Sequence, residues 1–358
     1  QTLAQAGIDE NRFAALLSYL FPSTTAEDER LRRGVRTDAF VLIGPGGNLV
    51  YERYARGYGP LSRHYGWSMT KTVVAALVGI AEKEGWLRRD ALVTDVIKAY
   101  AERPQLQGLR VEHLLRMSSG LDWSETYEYS PLKSTVIAML YTAGFADMAD
   151  YVAGRPRAFP PGTRYRYSSG DTNLLSAVLK AALGQAEYDE YPFVKLFTPL
   201  GMRSAVFEQD RSGTYVGSSY LYATARDFAR FGLLYLNRGA WNGVQLLPED
   251  WVTFSTQMAP AFYTTQLAED EKDENPGASM WLNLGDDKRG LPPPWPDAPR
   301  DTFAAIGHWG QTIFVLPGHK LVAVRLADDR EHTFNRNRYL KLLLDSVAAK
   351  SPPPRGGK

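Results

Sequence analysis

The sequence predicts an α/β (α+β) fold: one antiparallel sheet built from both ends of the chain, flanked by helices, with a mainly helical region inserted between. Three observations carry this. Apolar, β-branched runs of strand length occupy 39–43 and 49–54 near one end, and 303–306, 312–316 and 321–326 near the other. Helical spacing of apolar residues dominates the interval between them. A chain of 358 residues, 44% hydrophobic and 23% charged, has enough material for one large core or two intimate ones. The expected division is 1–85 with 300–350 as the sheet region, 86–299 as the helical insertion with long loops, and 351–358 as a disordered tail rich in Pro and Gly.

In chain order, Phe13, Leu16, Leu17 and Leu20 space a short amphipathic helix, and Arg30-Leu31-Arg32-Arg33 reads as a solvated loop. Gly44-Pro45-Gly46-Gly47-Asn48 joins two strand runs as a hairpin turn. Leu49 stands where a G-x-G-x-x-G phosphate cradle needs its last glycine. A loop with His64, Tyr65 and Trp67 delivers the chain to Ser68, followed by an apolar helix through 73–81. A helix over 111–117 stops at Ser118-Ser119-Gly120, and an aromatic loop with Trp123, Tyr127 and Tyr129 follows. Further helices are expected at 134–144, 147–152, 173–183 and 223–236. Between them, Phe159-Pro160-Pro161-Gly162-Thr163 forms a rigid turn ahead of Tyr167. The charge run at 269–274 and the prolines at 292–299 read as a long surface excursion, with Trp281 anchoring it in the core. A terminal helix spans 335–348.

Composition excludes several classes of function. A net charge of +1 gives no field for nucleic acid or a membrane surface, and no window reaches the ~18 apolar residues of a membrane-spanning helix. The absence of cysteine removes disulfides and thiolate chemistry. No histidine pair has ligand spacing, so neither a metal nor another cofactor is expected. A first residue Gln1 rather than Met favours a periplasmic or secreted protein over a cytoplasmic one. Oligomeric state is not encoded in any of these features.

The chemistry concentrates in Ser68-Met69-Thr70-Lys71. Three residues of helix place an amine beside a hydroxyl on one face, and a desolvated lysine can lose its charge and act as the base that activates the serine. Tyr167, on a tight turn before a helix, is a second acid/base candidate; a neighbouring ammonium favours its phenolate near neutral pH. The third candidate is Gly307-His308-Trp309-Gly310-Gln311 at a junction of two strands. There the Gln311 N–H could face the Ser68 N–H as an oxyanion hole.

Ser-x-x-K followed by Tyr-Ser-Ser and His-x-Gly resembles the serine β-lactamase-like superfamily in its class C and esterase branch. The likeness is greatest to 6-aminohexanoate-dimer (nylon-oligomer) hydrolases and related carboxylesterases. It spans about 38–330. Leu114 to Leu121 is similar to the family's LLxMxSGL segment, 159–163 to its F-x-P-G-T turn, 223–232 to its ATARDxARFG helix and 246–252 to its LLPxxWV segment. The resemblance implies a β-lactamase/transpeptidase-like fold, with Ser68 as acylated nucleophile, Lys71 as its base, and Tyr167 as second acid/base. It implies an oxyanion hole of Ser68 and Gln311 N–H groups. His308, Trp309, Gly310, Ser169 and Tyr127 or Tyr129 would contact a small ester or amide. Ser169 replaces the asparagine of Tyr-x-Asn, and His308 the lysine of K-T-G. Both departures point away from β-lactams. The alternatives are a DD-peptidase or weak β-lactamase, and an inactive binding protein on the same fold.

Overall fold

Alternation of side chains along the strands creates two cores, one on each face of a six-stranded sheet. The computed structural model describes residues 1–127, 133–267 and 274–347. Its strands are β1 (Thr37–Ile43), β2 (Leu49–Tyr54), β3 (Trp281–Leu282), β4 (Phe303–Gly307), β5 (Gln311–Leu316) and β6 (Leu321–Ala327), all antiparallel in the order β2-β1-β6-β5-β4-β3. Val41, Ile313, Val315, Val322 and Val324 face one core; Phe40, Leu42, Phe314, Leu316 and Ala323 face the other. A strand residue and its neighbour point to opposite faces, so the central strands are buried at every position because both faces are covered.

Helices α1 (Glu10–Leu20) and α5 (Arg336–Ser346) pack together over the second face, with Phe13, Leu16, Tyr339 and Leu340 beneath them. The first face carries α2 (Met69–Lys83), α3 (Ser169–Leu183) and α4 (Ala225–Leu236), which reach the short helices of the middle region. Helix α2 is buried at every position from Met69 to Ala81, as expected of a helix apolar all round.

Several expectations need correction. Arg30 and Leu31 end a capped helix, Ala26–Leu31, rather than lying in a loop. His64–Tyr65 pairs with Leu221–Ala223 in a small three-stranded sheet. The stretch read as a surface excursion supplies β3, and Trp281 packs against the second core, as expected, while also stacking on Tyr167 (ring centroids 5.5 Å apart). Asn275 ties the segment down, accepting from Gly285 N–H with its side chain and from Leu282 N–H with its carbonyl. The expected tail at 351–358 lies outside the described residues.

One buried ion pair fixes the β4–β5 turn. Arg325 is fully buried, donates to both carboxylate oxygens of Asp329 (2.5 and 3.0 Å), and reaches Thr37 Oγ1 and the Gly310 carbonyl. Asp329 N–H in turn donates to the Trp309 carbonyl. Replacing one partner leaves an uncompensated charge in the interior. Asp329→Ala is therefore expected to lower the unfolding free energy by about 3–5 kcal/mol, measured by urea titration.

Candidate active site

Ser68 caps α2, so its hydroxyl sits at the helix N-terminus and Lys71 follows one turn later on the same side. Lys71 Nζ lies 2.8 Å from Ser68 Oγ and donates to the Ser218 carbonyl at 2.9 Å. With one amine proton committed to Ser218, a neutral Lys71 turns a lone pair toward the serine hydroxyl. Burial pulls the amine down to about 8, and the nearby Glu125 carboxylate opposes the shift. The side chain is 2% exposed. The base is thus poised near neutral pH by desolvation.

Tyr167 completes the pair. Its phenol hydrogen-bonds Ser68, and its ring lies under Lys71 Nζ (5.0 Å to the centroid) and against Trp281. Burial, and then Glu125, push this phenol far above its ordinary range; the bond to Ser68 works the other way. The expected phenolate is therefore corrected: Tyr167 stays a neutral phenol, because burial and the Glu125 carboxylate disfavour its charged form.

The residue that sequence reasoning missed is Glu125. Its carboxylate accepts from Trp123 Nε1, Ser169 N–H (3.0 Å), Ser169 Oγ and Tyr127 OH (3.3 Å). A carboxylate between Trp123 and Tyr127, in a loop already read as a pocket border, was the available signal. Ser169, expected to touch substrate, is fully buried and gives both its donors to Glu125. Tyr127 stacks on the His308 ring (4.9 Å, 25° between planes), with its phenol raised by burial and by Glu125. Tyr129 lies outside the described residues.

The motif His308-Trp309-Gly310 divides three ways. His308 faces Tyr127 and Trp67. Trp309, at φ +56°, packs its ring edge-to-face on Trp67. Gly310 turns inward: a Cβ there would come within 2.2 Å of Asp329 Oδ2. Gln311 is fully buried in β5 opposite Gly307, with its amide bonded to the His308 and Ala327 carbonyls and to Ala327 N–H. The strand that touches the chain entering the nucleophile is its neighbour. That strand is β4. A Cβ on Gly307 would sit 2.5 Å from the Gly66 carbonyl, so only glycine lets β4 touch the chain entering Ser68.

The remaining wall is Met117, Tyr165, Pro276, Gly277, Ser279, Met280 and Trp281, around a free volume of about 10 Å3. Thr72 Oγ1 donates to the Ser279 carbonyl and Ser279 Oγ to that of Leu115, which fastens this segment to α2. At the start of α3, buried Asp171 accepts from Ser119 N–H and Oγ, and desolvation raises it to about 7. Among the described residues, no cluster of side chains could hold a metal ion, and no helix is long and apolar enough to cross a membrane.

The Beta-lactamase family profile matches residues 24–346. The chain belongs to that family, one of serine hydrolases whose members include esterases, amidases and peptidases. A 6-aminohexanoate-dimer hydrolase of Paenarthrobacter ureafaciens is 26% identical over 302 residues, covering 81% of this chain and 72% of that protein. Among solved structures, a putative 6-aminohexanoate-dimer hydrolase from Bacillus anthracis superposes with a TM-score of 0.68 at 23% identity, covering 91% of this chain and 81% of the other. A family VIII carboxylesterase does so with a TM-score of 0.66 at 15% identity, over 95% and 98%. The fold expected from the sequence, β-lactamase/transpeptidase-like, is the fold observed.

Two outcomes follow from the charges. The kcat/KM of a neutral ester should rise with pH through an apparent pKa near 8, and Glu125→Gln should move that limb to lower pH, because the carboxylate stabilises the Lys71 ammonium. Asp171 must stay protonated in the fold to about pH 7 while the unfolded side chain ionises near 3.8, so stability falls as pH rises between them. Asp171→Asn should raise Tm at pH 8 and change it little at pH 3, measured by calorimetry.

Proposed function

We propose that the chain hydrolyses small esters or amides through an acyl-enzyme on Ser68. The observation that carries this reading is the buried amine of Lys71 at 2.8 Å from Ser68 Oγ, with the amine lowered to about 8. Neutral Lys71 takes the hydroxyl proton as Oγ attacks the carbonyl carbon, and the resulting ammonium holds its place through Ser218. The oxyanion is met by Ser68 N–H and by a backbone N–H of the β4–β5 turn. The contact of Gly307 with Gly66 favours His308 for that second donor over Gln311. Tyr167, neutral and bonded to Ser68, hands its proton to the leaving oxygen or nitrogen and regains one from Lys71. Water then repeats the sequence on the ester.

The tight space beside Ser68 and its apolar lining of Met117, Met280 and Trp281 support a short acyl group. The name of the Paenarthrobacter relative supports linear amides of the 6-aminohexanoate type beside short esters. A fluorophosphonate probe followed by peptide mapping tests the nucleophile: the label is expected on Ser68, and label-free Ser68 in the folded protein would exclude the mechanism. Tyr167→Phe is expected to lower kcat about 10²–10⁴-fold on p-nitrophenyl butyrate, with the thermal transition unchanged.

A further inference from the structure

A second cavity, of about 720 Å3, lies at the end of the sheet where β1 begins and β6 ends, and reaches Trp67, the residue before Ser68. Five arginines line it: Arg32, Arg36, Arg56, Arg63 and Arg330. Three carboxylates, Glu29, Asp38 and Asp328, face them, which leaves a positive surplus before any histidine charge. The pairing is uneven. Asp328 is shared by Arg330 (2.6 Å) and Arg32 (3.3 Å). Asp38 is shared by Arg56 (2.8 Å) and His64 (3.0 Å). Arg63 has no carboxylate partner among the described residues and spends its Nε on the Ser204 carbonyl. Arg36, 7% exposed, pairs with Glu29 through Nη1, and its Nε makes no hydrogen bond and lies 3.9 Å from Asp328, which is thus spread over three arginines.

The wall between this cavity and the nucleophile is aromatic. Trp67, immediately before Ser68 and held at φ +47°, lines the cavity together with Trp309. Arg330 covers the Trp309 ring at 3.1 Å from its centroid. Surplus guanidinium groups offer forked donors for oxyanions, and the indoles offer a flat apolar surface for an organic body. We infer that this cavity binds a small organic anion, a carboxylate or phosphate on a planar or apolar body, and that its occupancy is felt at Ser68 through Trp67. The same chemistry fits the acidic end of a substrate or a separate effector. The effect on turnover rests on the Ser68 reading; the binding does not.

The test uses the full chain, as wild type, as Ser68→Ala, and as the double variant Arg32→Gln/Arg63→Gln, whose side chains are exposed and outside the site. Calorimetric titration with citrate and with 1-naphthyl phosphate is expected to show one saturable site in the first two proteins and at least tenfold weaker binding in the third. Raising salt should weaken it. Absence of saturable binding to wild type, or equal affinity in the double variant, overturns the inference. Steady-state hydrolysis separates the sources. If the anion is the substrate's own end, a p-nitrophenyl hemisuccinate has a lower KM than p-nitrophenyl butyrate, and the double variant erases that preference. If it is an effector, citrate changes kcat for the neutral butyrate in wild type but not in the double variant. If citrate binds yet neither pattern occurs, the link to Ser68 is refuted. Failure of both esters to turn over, with binding intact in Ser68→Ala, refutes the hydrolase reading and leaves the anion site standing.

Discussion

Burying a lysine amine beside a serine hydroxyl costs free energy, and much of this structure arranges that burial. In water an ammonium is strongly hydrated; at 2% exposure, Lys71 exchanges that hydration for Ser68, the Ser218 carbonyl and the field of the Glu125 carboxylate. Helix α2 is apolar around its circumference, so no water approaches the amine from its own element. Trp281 and Tyr167 close the open side by stacking, and Thr72 and Ser279 hold that closing segment to the helix. The partial compensation matters. Without Glu125 the amine would sit lower still, and with a closer carboxylate it would remain charged and useless as a base.

The β4–β5 turn shows how three short residues serve separate surfaces. His308 meets Tyr127, Trp309 shields the arginine-lined cavity, and Gly310 is pressed against Asp329. The Arg325–Asp329 pair holds the turn by the Gly310 and Trp309 carbonyls, so a wholly buried charge pair sets where the strand end stands relative to Ser68. Buried pairs of this kind add little net stability over apolar packing. Here the pair fixes a backbone position that the chemistry needs.

Much of the sheet was legible because strand periodicity and turn composition are local signals: the hairpin of β1 and β2 and the three final strands lie within a residue or two of their expected limits. The Ser68–Lys71 contact was legible for the same reason, since helical rise fixes it. What was not legible depends on contacts distant in sequence. Glu125 gains its role only because Ser169, forty-four residues on, points both donors at it. The contact of Gly307 with Gly66 was not legible, because a motif gives order along the chain but not which strand of a sheet touches the nucleophile. Trp281 packs against the core as a tryptophan among charges and prolines suggests, but its second partner, Tyr167, is 114 residues away. The Tyr167 charge state was misread for a related reason. Burial outweighs the expected cation beside it, and the Glu125 carboxylate adds to the cost of a phenolate.

The account stands on the protonation of Lys71, and that can be read without turnover. Lysine labelled with 13C at Cε, with the Lys71 signal assigned by its loss in Lys71→Arg, reports the titration directly by NMR in the folded protein. The account predicts a midpoint near 8, well below the ordinary lysine value of 10.5. A midpoint at or above 10.5 would contradict it, because the neutral amine that takes the proton of Ser68 would then be all but absent even at pH 8.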